Sequence, residues 1–137
     1  MTLPPEPDDT PAAIEQAVAD LAVRLLDAAR MGDAAVLAAY VDAGAPVDLV
    51  ADTGDSLLML AAYHGHADAV AALLQRGADT ELANAKGQTP LAGAVFKGYT
   101  PIVVALVAAG ADPDAGQPSA RAAAVAFDRP DLLDLLA

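Results

Sequence analysis

The sequence predicts an all-α fold, a solenoid of four helix–turn–helix units with an extended first helix and a shortened last inter-repeat loop. Three observations predict it. Glycines recur at Gly32, Gly65 and Gly98, each 33 residues from the last. A second series, Gly44, Gly77 and Gly110, keeps that spacing, and each member is followed by alanine (Ala45, Ala78, Ala111). The hydrophobic positions share the period, with Leu37, Val70 and Val103 equivalent, and likewise Tyr40, Leu73 and Leu106. A period of this length marks a stack of supersecondary units, none of which can bury its apolar face alone.

Taken in order, residues 1–10 read as a disordered or extended tail ahead of a single domain over 11–137. Met1 to Pro11 holds four prolines and three acids and has neither the basic start nor the apolar stretch of a signal peptide. Thr10-Pro11 reads as a cap followed by proline at the first helical position. No breaker interrupts Ala12 to Met31, so the first unit (about 11–50) opens with one long helix. Its extra turns are expected to shield the end of the stack. In the second unit (about 51–83), Ser56 is the candidate N-cap for Leu57 to His64, and Gly65 closes the turn. The following helix, Ala67 to Gln75, is expected to bury Ala69, Val70, Ala72, Leu73 and Leu74 before Gly77 ends it. The third unit (about 84–115) has two cap-then-proline starts, Thr89-Pro90 and Thr100-Pro101. The period then slips: Val95 matches Val125, Val103 matches Leu133 and Leu106 matches Leu136, all at an offset of 30. A fourth unit (about 116–137) therefore follows a connection three residues shorter, and Asp128 is the candidate cap of its last helix. No alternating pattern is present, so no sheet is expected beyond hairpin-like turns.

Composition narrows the function. Hydrophobic residues make up 55% of the 137 and aromatics only 4%; much of the apolar content is alanine, so the core must be continuous to stabilise anything. The absence of cysteine removes disulfides, thiolate catalysis and cysteine-based zinc sites, and it is compatible with a reducing, cytoplasmic location. Seven basic against nineteen acidic residues give a net charge of −12. That field repels phosphate backbones and anionic membranes, so neither nucleic acid nor a membrane is an expected partner. It reads either as solubility or as preference for a basic patch on a partner. The longest uncharged, largely apolar run, Gly98 to Ala111, is short of the ~20 residues a bilayer helix needs.

Thr89-Pro90-Leu91 with Ala94, the turns Gly65-His66 and Gly98-Tyr99, and the unit ends Gly77-Ala78-Asp79 and Gly110-Ala111-Asp112 together resemble the ankyrin repeat family. The likeness runs from Leu21 to Ala137, and the short, alanine-rich chain is similar to a bacterial stand-alone member. The histidine of the family signature is replaced by Met59 in the second unit and Ala92 in the third, so the bonds it makes to the loop backbone are expected to be missing and the loops less rigid. Arg121 stands where Leu58 and Leu91 stand, suiting a final unit with one face in water. The resemblance implies a non-catalytic protein–protein interaction module whose partner lies against the loop tips and the concave face of the first helices.

No catalytic, cofactor or metal site is expected. His64 and His66 are two apart and point apart on a helix; His66 suits a structural role in the turn. Ser56 and Ser119 are explained as caps. Asp52 and Asp55 share a loop but lack the twelve-residue calcium pattern, so a solvated turn is the simpler reading.

The candidate partner-binding residues are the pairs that precede each turn: Arg30-Met31, Tyr63-His64, Phe96-Lys97 and Ala126-Phe127. Tyr63 lines up with Phe96, while Met31 and Phe127 fall in the neighbouring row with His64 and Lys97. Buried aromatics dominate interface energies; these rings either bind or fill space between repeats. His64 and Lys97 make a modestly basic strip to which a partner could present acid. The loop tips add Asp52, Thr53, Asp55, Ala85, Lys86 and Gln88 as a polar rim. The competing reading is a self-associating structural or regulatory subunit, a weak homodimer rather than a monomer. Its basis is the last helix, which keeps Leu132, Leu133, Leu135 and Leu136 though no repeat follows, with Leu132 and Leu135 expected nearest the open end.

Overall fold

The computed structural model describes residues 10–137; apart from Thr10, the tail expected over 1–10 lies outside the described residues. Eight helices are present among them: α1 Pro11–Met31, α2 Ala34–Asp42, α3 Leu57–Tyr63, α4 Ala67–Gln75, α5 Pro90–Lys97, α6 Thr100–Ala108, α7 Ala120–Ala126 and α8 Pro130–Leu136. They form four helix–turn–helix pairs stacked in two layers. The odd-numbered helices lie side by side as the inner layer, and the even-numbered helices pack behind them.

The inner helices start where short polar residues can satisfy otherwise unpaired N–H groups. Thr10 Oγ accepts from Ala13 N (3.2 Å), Ser56 from Met59 N (3.0 Å), Thr89 from Ala92 N (3.1 Å) and Ser119 from Ala122 N (3.1 Å). Of the outer helices only α2 is capped this way, Asp33 accepting from Val36 N at 3.1 Å; the same position holds His66, Tyr99 and Arg129 in the others, and none of these makes a cap bond. Thr100 is therefore not a cap: Tyr99 holds that position, Thr100 is the first helical residue, and α6 begins without a side-chain cap bond. Asp128 does not cap α8 either. Its φ of 51° places it in the left-handed turn position that Gly32, Gly65 and Gly98 hold at 76°, 81° and 76°, and Arg129 takes the uncapped start of α8. Aspartate is among the few residues with a side chain that tolerate this conformation.

Each of these turns is covered by the unit that follows it. A Cβ on Gly32 would run into the His66 ring, one on Gly65 would lie 2.9 Å from Tyr99 Cζ, and one on Gly98 would lie 2.9 Å from Arg129 Nη1. His66 also donates from Nε2 to the Arg30 carbonyl at 2.7 Å, joining the first two pairs; the carbonyl can only accept, which fixes the direction.

The core runs unbroken through the stack, from Leu25 and Leu37 through Leu57, Leu58 and Leu73 to Leu91, Leu106 and Leu132. In α4 it takes Ala69, Val70 and Leu73. Ala72 and Leu74, expected to be buried, are half-buried because they lie at the edges of the helix face that meets α3. The long α1 does not shield the end of the stack with its extra turns. Its buried residues are Leu25, Ala28 and Ala29, while Ile14 and Val18 stay 52% and 61% exposed. Its neighbours α2 and α3 are only 9 and 7 residues long, and packing does not extend to the first turns.

The loops between pairs are hairpin-like. Val50 pairs with Ser56 and Gly116 with Ser119 in isolated antiparallel fashion. Successive tips are tied by main-chain bonds, Ala85 N to Thr53 O (3.1 Å) and Gln117 N to Gly87 O (2.9 Å).

Candidate partner-binding site

An open groove of about 540 Å³ runs between the inner helices and the loop tips. Its floor is apolar, from Met59 and Leu60, which are 2% and 6% exposed. The helical wall carries Arg30 from the end of α1 with Tyr63 and His64 from the end of α3. The opposite rim is made by Thr53 and Asp55 from one tip and by Ala85, Lys86 and Gln88 from the next. Residues expected from separate segments of sequence are thus brought to one surface.

Not all join it. Asp52 is exposed but does not line the groove. Met31 is 78% exposed. Phe96 and Phe127 are each 52% exposed and pack edge-to-face with centroids 5.1 Å apart, a small aromatic patch outside the groove lining. Tyr63 fills space between repeats and also lines the groove. One ring edge lies over Gly93, where a Cβ would come within 3.5 Å of Tyr63 Cδ2 and 3.0 Å of Met59 Cε. The exposed side of the ring faces the groove, with His64 edge-on at 5.8 Å and the Lys97 ammonium 4.9 Å from its centroid.

The rim is tied together by a residue that the repeat pattern does not single out. Asn84 fills its bonding capacity: Oδ1 accepts from Lys86 N and Gln88 N (3.0 Å each), and Nδ2 donates to Asp55 Oδ1 and Gln88 Oε1 (2.8 Å each). Thr53 Oγ1 donates to the other Asp55 oxygen at 2.7 Å. Asp55, Gln88 and Thr53 are therefore engaged in holding two tips together. A signal for this exists in the sequence, since asparagine ahead of a glycine-containing tip is a common side-chain-to-backbone turn former.

A family model for ankyrin repeats in three copies matches residues 25–117, more than half of the chain. The chain belongs to the ankyrin repeat family. No curated protein matches it. Ankyrin repeats are generally protein–protein interaction modules. Met59 and Ala92, which stand in place of the signature histidine in the second and third units, are both buried; the Asn84 network and the tip-to-tip main-chain bonds tie the loops together. Among the described residues no helix is long and apolar enough to cross a membrane.

At the C-terminal end of the ankyrin stack, Leu132 is not near an open surface. It is completely buried and Leu136 is 3% exposed, because both turn inward against α6, while Leu133 and Leu135 are half-buried. The apolar group left uncovered there is Val125, 63% exposed, although its equivalent Val95 is 1% exposed. Charged pairs flank this end. Arg121 lies 2.7 Å from Asp114, whose hydrogen bond raises the guanidinium pKa further above its ordinary value. The hydrogen bond from Arg129 holds the Asp131 carboxyl below its usual range.

Proposed function

We propose that this ankyrin chain is a non-catalytic module that holds a partner protein against its concave face and loop tips. The observation that carries the reading is the convergence of Arg30, Tyr63, His64 and Lys86 on one groove with an apolar floor. A few polar groups around an apolar base are what a binding surface needs. Truncating Tyr63 and Phe96 together to alanine is the test. If the rings are central anchors, each contributes about 2 kcal/mol, so partner affinity measured by calorimetry falls at least roughly thirtyfold. Helical signal should stay nearly intact, because Phe96 is exposed and Tyr63 half-buried. Substitutions at Ala71 and Gln75 on α4 are the controls and should leave affinity unchanged. A double variant that binds like the parent would withdraw the assignment.

The exposure of Val125 favours a second reading, self-association through the end face. In each earlier unit this position is covered by the next pair of helices, and a second copy could cover it here. The seat is then Val125 with Leu133 and Leu135, not Leu132. Static light scattering at high micromolar concentration checks it: a dimer that Val125→Glu converts to monomer supports the reading, and a parent chain that is already monomeric ends it.

A further inference from the structure

The groove is bordered by charge opposite in sign to the rest of the molecule. Among the seven basic residues of a chain with net charge −12, Arg30, Arg76, Arg121 and Arg129 each reach a carboxylate within 2.9 Å. Arg24 is exposed on α1 and does not line the groove. Lys86 and Lys97 are exposed, and neither reaches a carboxylate among the described residues. Lys86 stands on the groove's rim; Lys97 lies just outside its lining, with its ammonium 4.9 Å from the ring centroid of Tyr63, which does line it. Asp55 also lines the groove, but both of its oxygens already accept bonds from Thr53 and Asn84. An acid entering here meets two ammonium groups without displacing an ion pair, while the acidic remainder of the surface repels any other approach.

The placement of the two lysines sets the spacing of the acids that would meet them. Lys86 precedes α5 and Lys97 ends it, so their backbones are separated by about the length of that helix, whose 8 residues span about 12 Å. An extended chain covers this in about four residues at ~3.3 Å each. We infer, building on the binding-module reading above, that the partner presents an extended acidic segment. Its two carboxylates lie about four residues apart, and an apolar side chain between them rests on Met59 and Leu60.

The test titrates the isotope-labelled full chain by NMR with three probes. These are a blocked peptide with two glutamates at this spacing around a leucine, the same peptide with lysines replacing the glutamates, and an oligothymidine. The glutamate peptide should shift the amides of Lys86, Lys97 and Tyr63, and its affinity should fall as salt is added. Lys86→Ala and Lys97→Ala should each weaken it by about two- to fivefold, as for other exposed charge pairs. The double reversal Lys86→Glu with Lys97→Glu should transfer preference to the lysine peptide. Equal binding of the lysine peptide or of oligothymidine, or no shift with any probe, overturns the inference. Capture of the natural partner separates the two levels. Loss on Tyr63→Ala with Phe96→Ala but indifference to the charge reversal sinks the acidic segment and leaves the module standing; indifference to both sinks both.

Discussion

Leu73→Ala is expected to cost about 2–5 kcal/mol, through lost transfer energy and the cavity left behind. Leu73 is completely buried in α4 and is among the largest fully buried side chains. The core cannot easily collapse into the space, because much of it is alanine, including Ala61, Ala62 and Ala69. Small domains are stable by only about 5–15 kcal/mol in total, so the variant should melt at a much lower temperature or fail to fold. Circular dichroism melts of the two chains check this. A midpoint within a degree or two of the parent would mean that the repeat register placing Leu73 in the core is wrong.

Gly32→Ala is expected to be nearly as damaging although it adds a single carbon. The backbone there has φ of 76°, a left-handed conformation that costs a residue with a side chain about 1–2 kcal/mol. The new Cβ also falls on the His66 ring. Moving that ring breaks its 2.7 Å bond to the Arg30 carbonyl, adding about 0.5–1.5 kcal/mol. The two effects sum to roughly 1.5–3.5 kcal/mol. Gly77→Ala provides a comparison, since Gly77 has φ of 83° but a Cβ there would meet no atom within 4 Å. It should lose the conformational part alone. Equal losses in urea denaturation would mean that His66 does not lock the first turn.

These two sites also show what a single sequence reveals. The 33-residue glycine series located every turn but one, because glycine is read by backbone conformation, and backbone conformation repeats. It failed at Asp128, where an aspartate assumes the same φ > 0 role and looks on paper like a helix cap. Thr100 misled in the same way: threonine before proline is a start signal, yet α6 starts one residue earlier, with Tyr99 in the cap position and no side-chain cap bond. Burial was legible where a residue faces a neighbour on both sides, as at Val70 and Val103, both fully buried. It was not legible at Leu132, because which leucines of α8 turn towards α6 depends on rotation about the helix axis. Site residues were legible as rows on one face. Whether a rim residue is available or engaged was not, because Asp55, Gln88 and Asn84 meet only through folding.

Every substantial contact in the stack is made within a helix pair or with the next pair along. Such an array behaves as a short line of coupled units, each contributing its own stability plus an interface with its neighbour. Opening then begins at the ends, where a unit has one interface to lose instead of two. The groove takes its residues from α1, α3 and the two tips around Thr53 and Asn84; none comes from α7 or α8. The last pair can therefore unzip and close again while the groove stays assembled, and a protease cutting there would shorten the protein's lifetime without reshaping the groove.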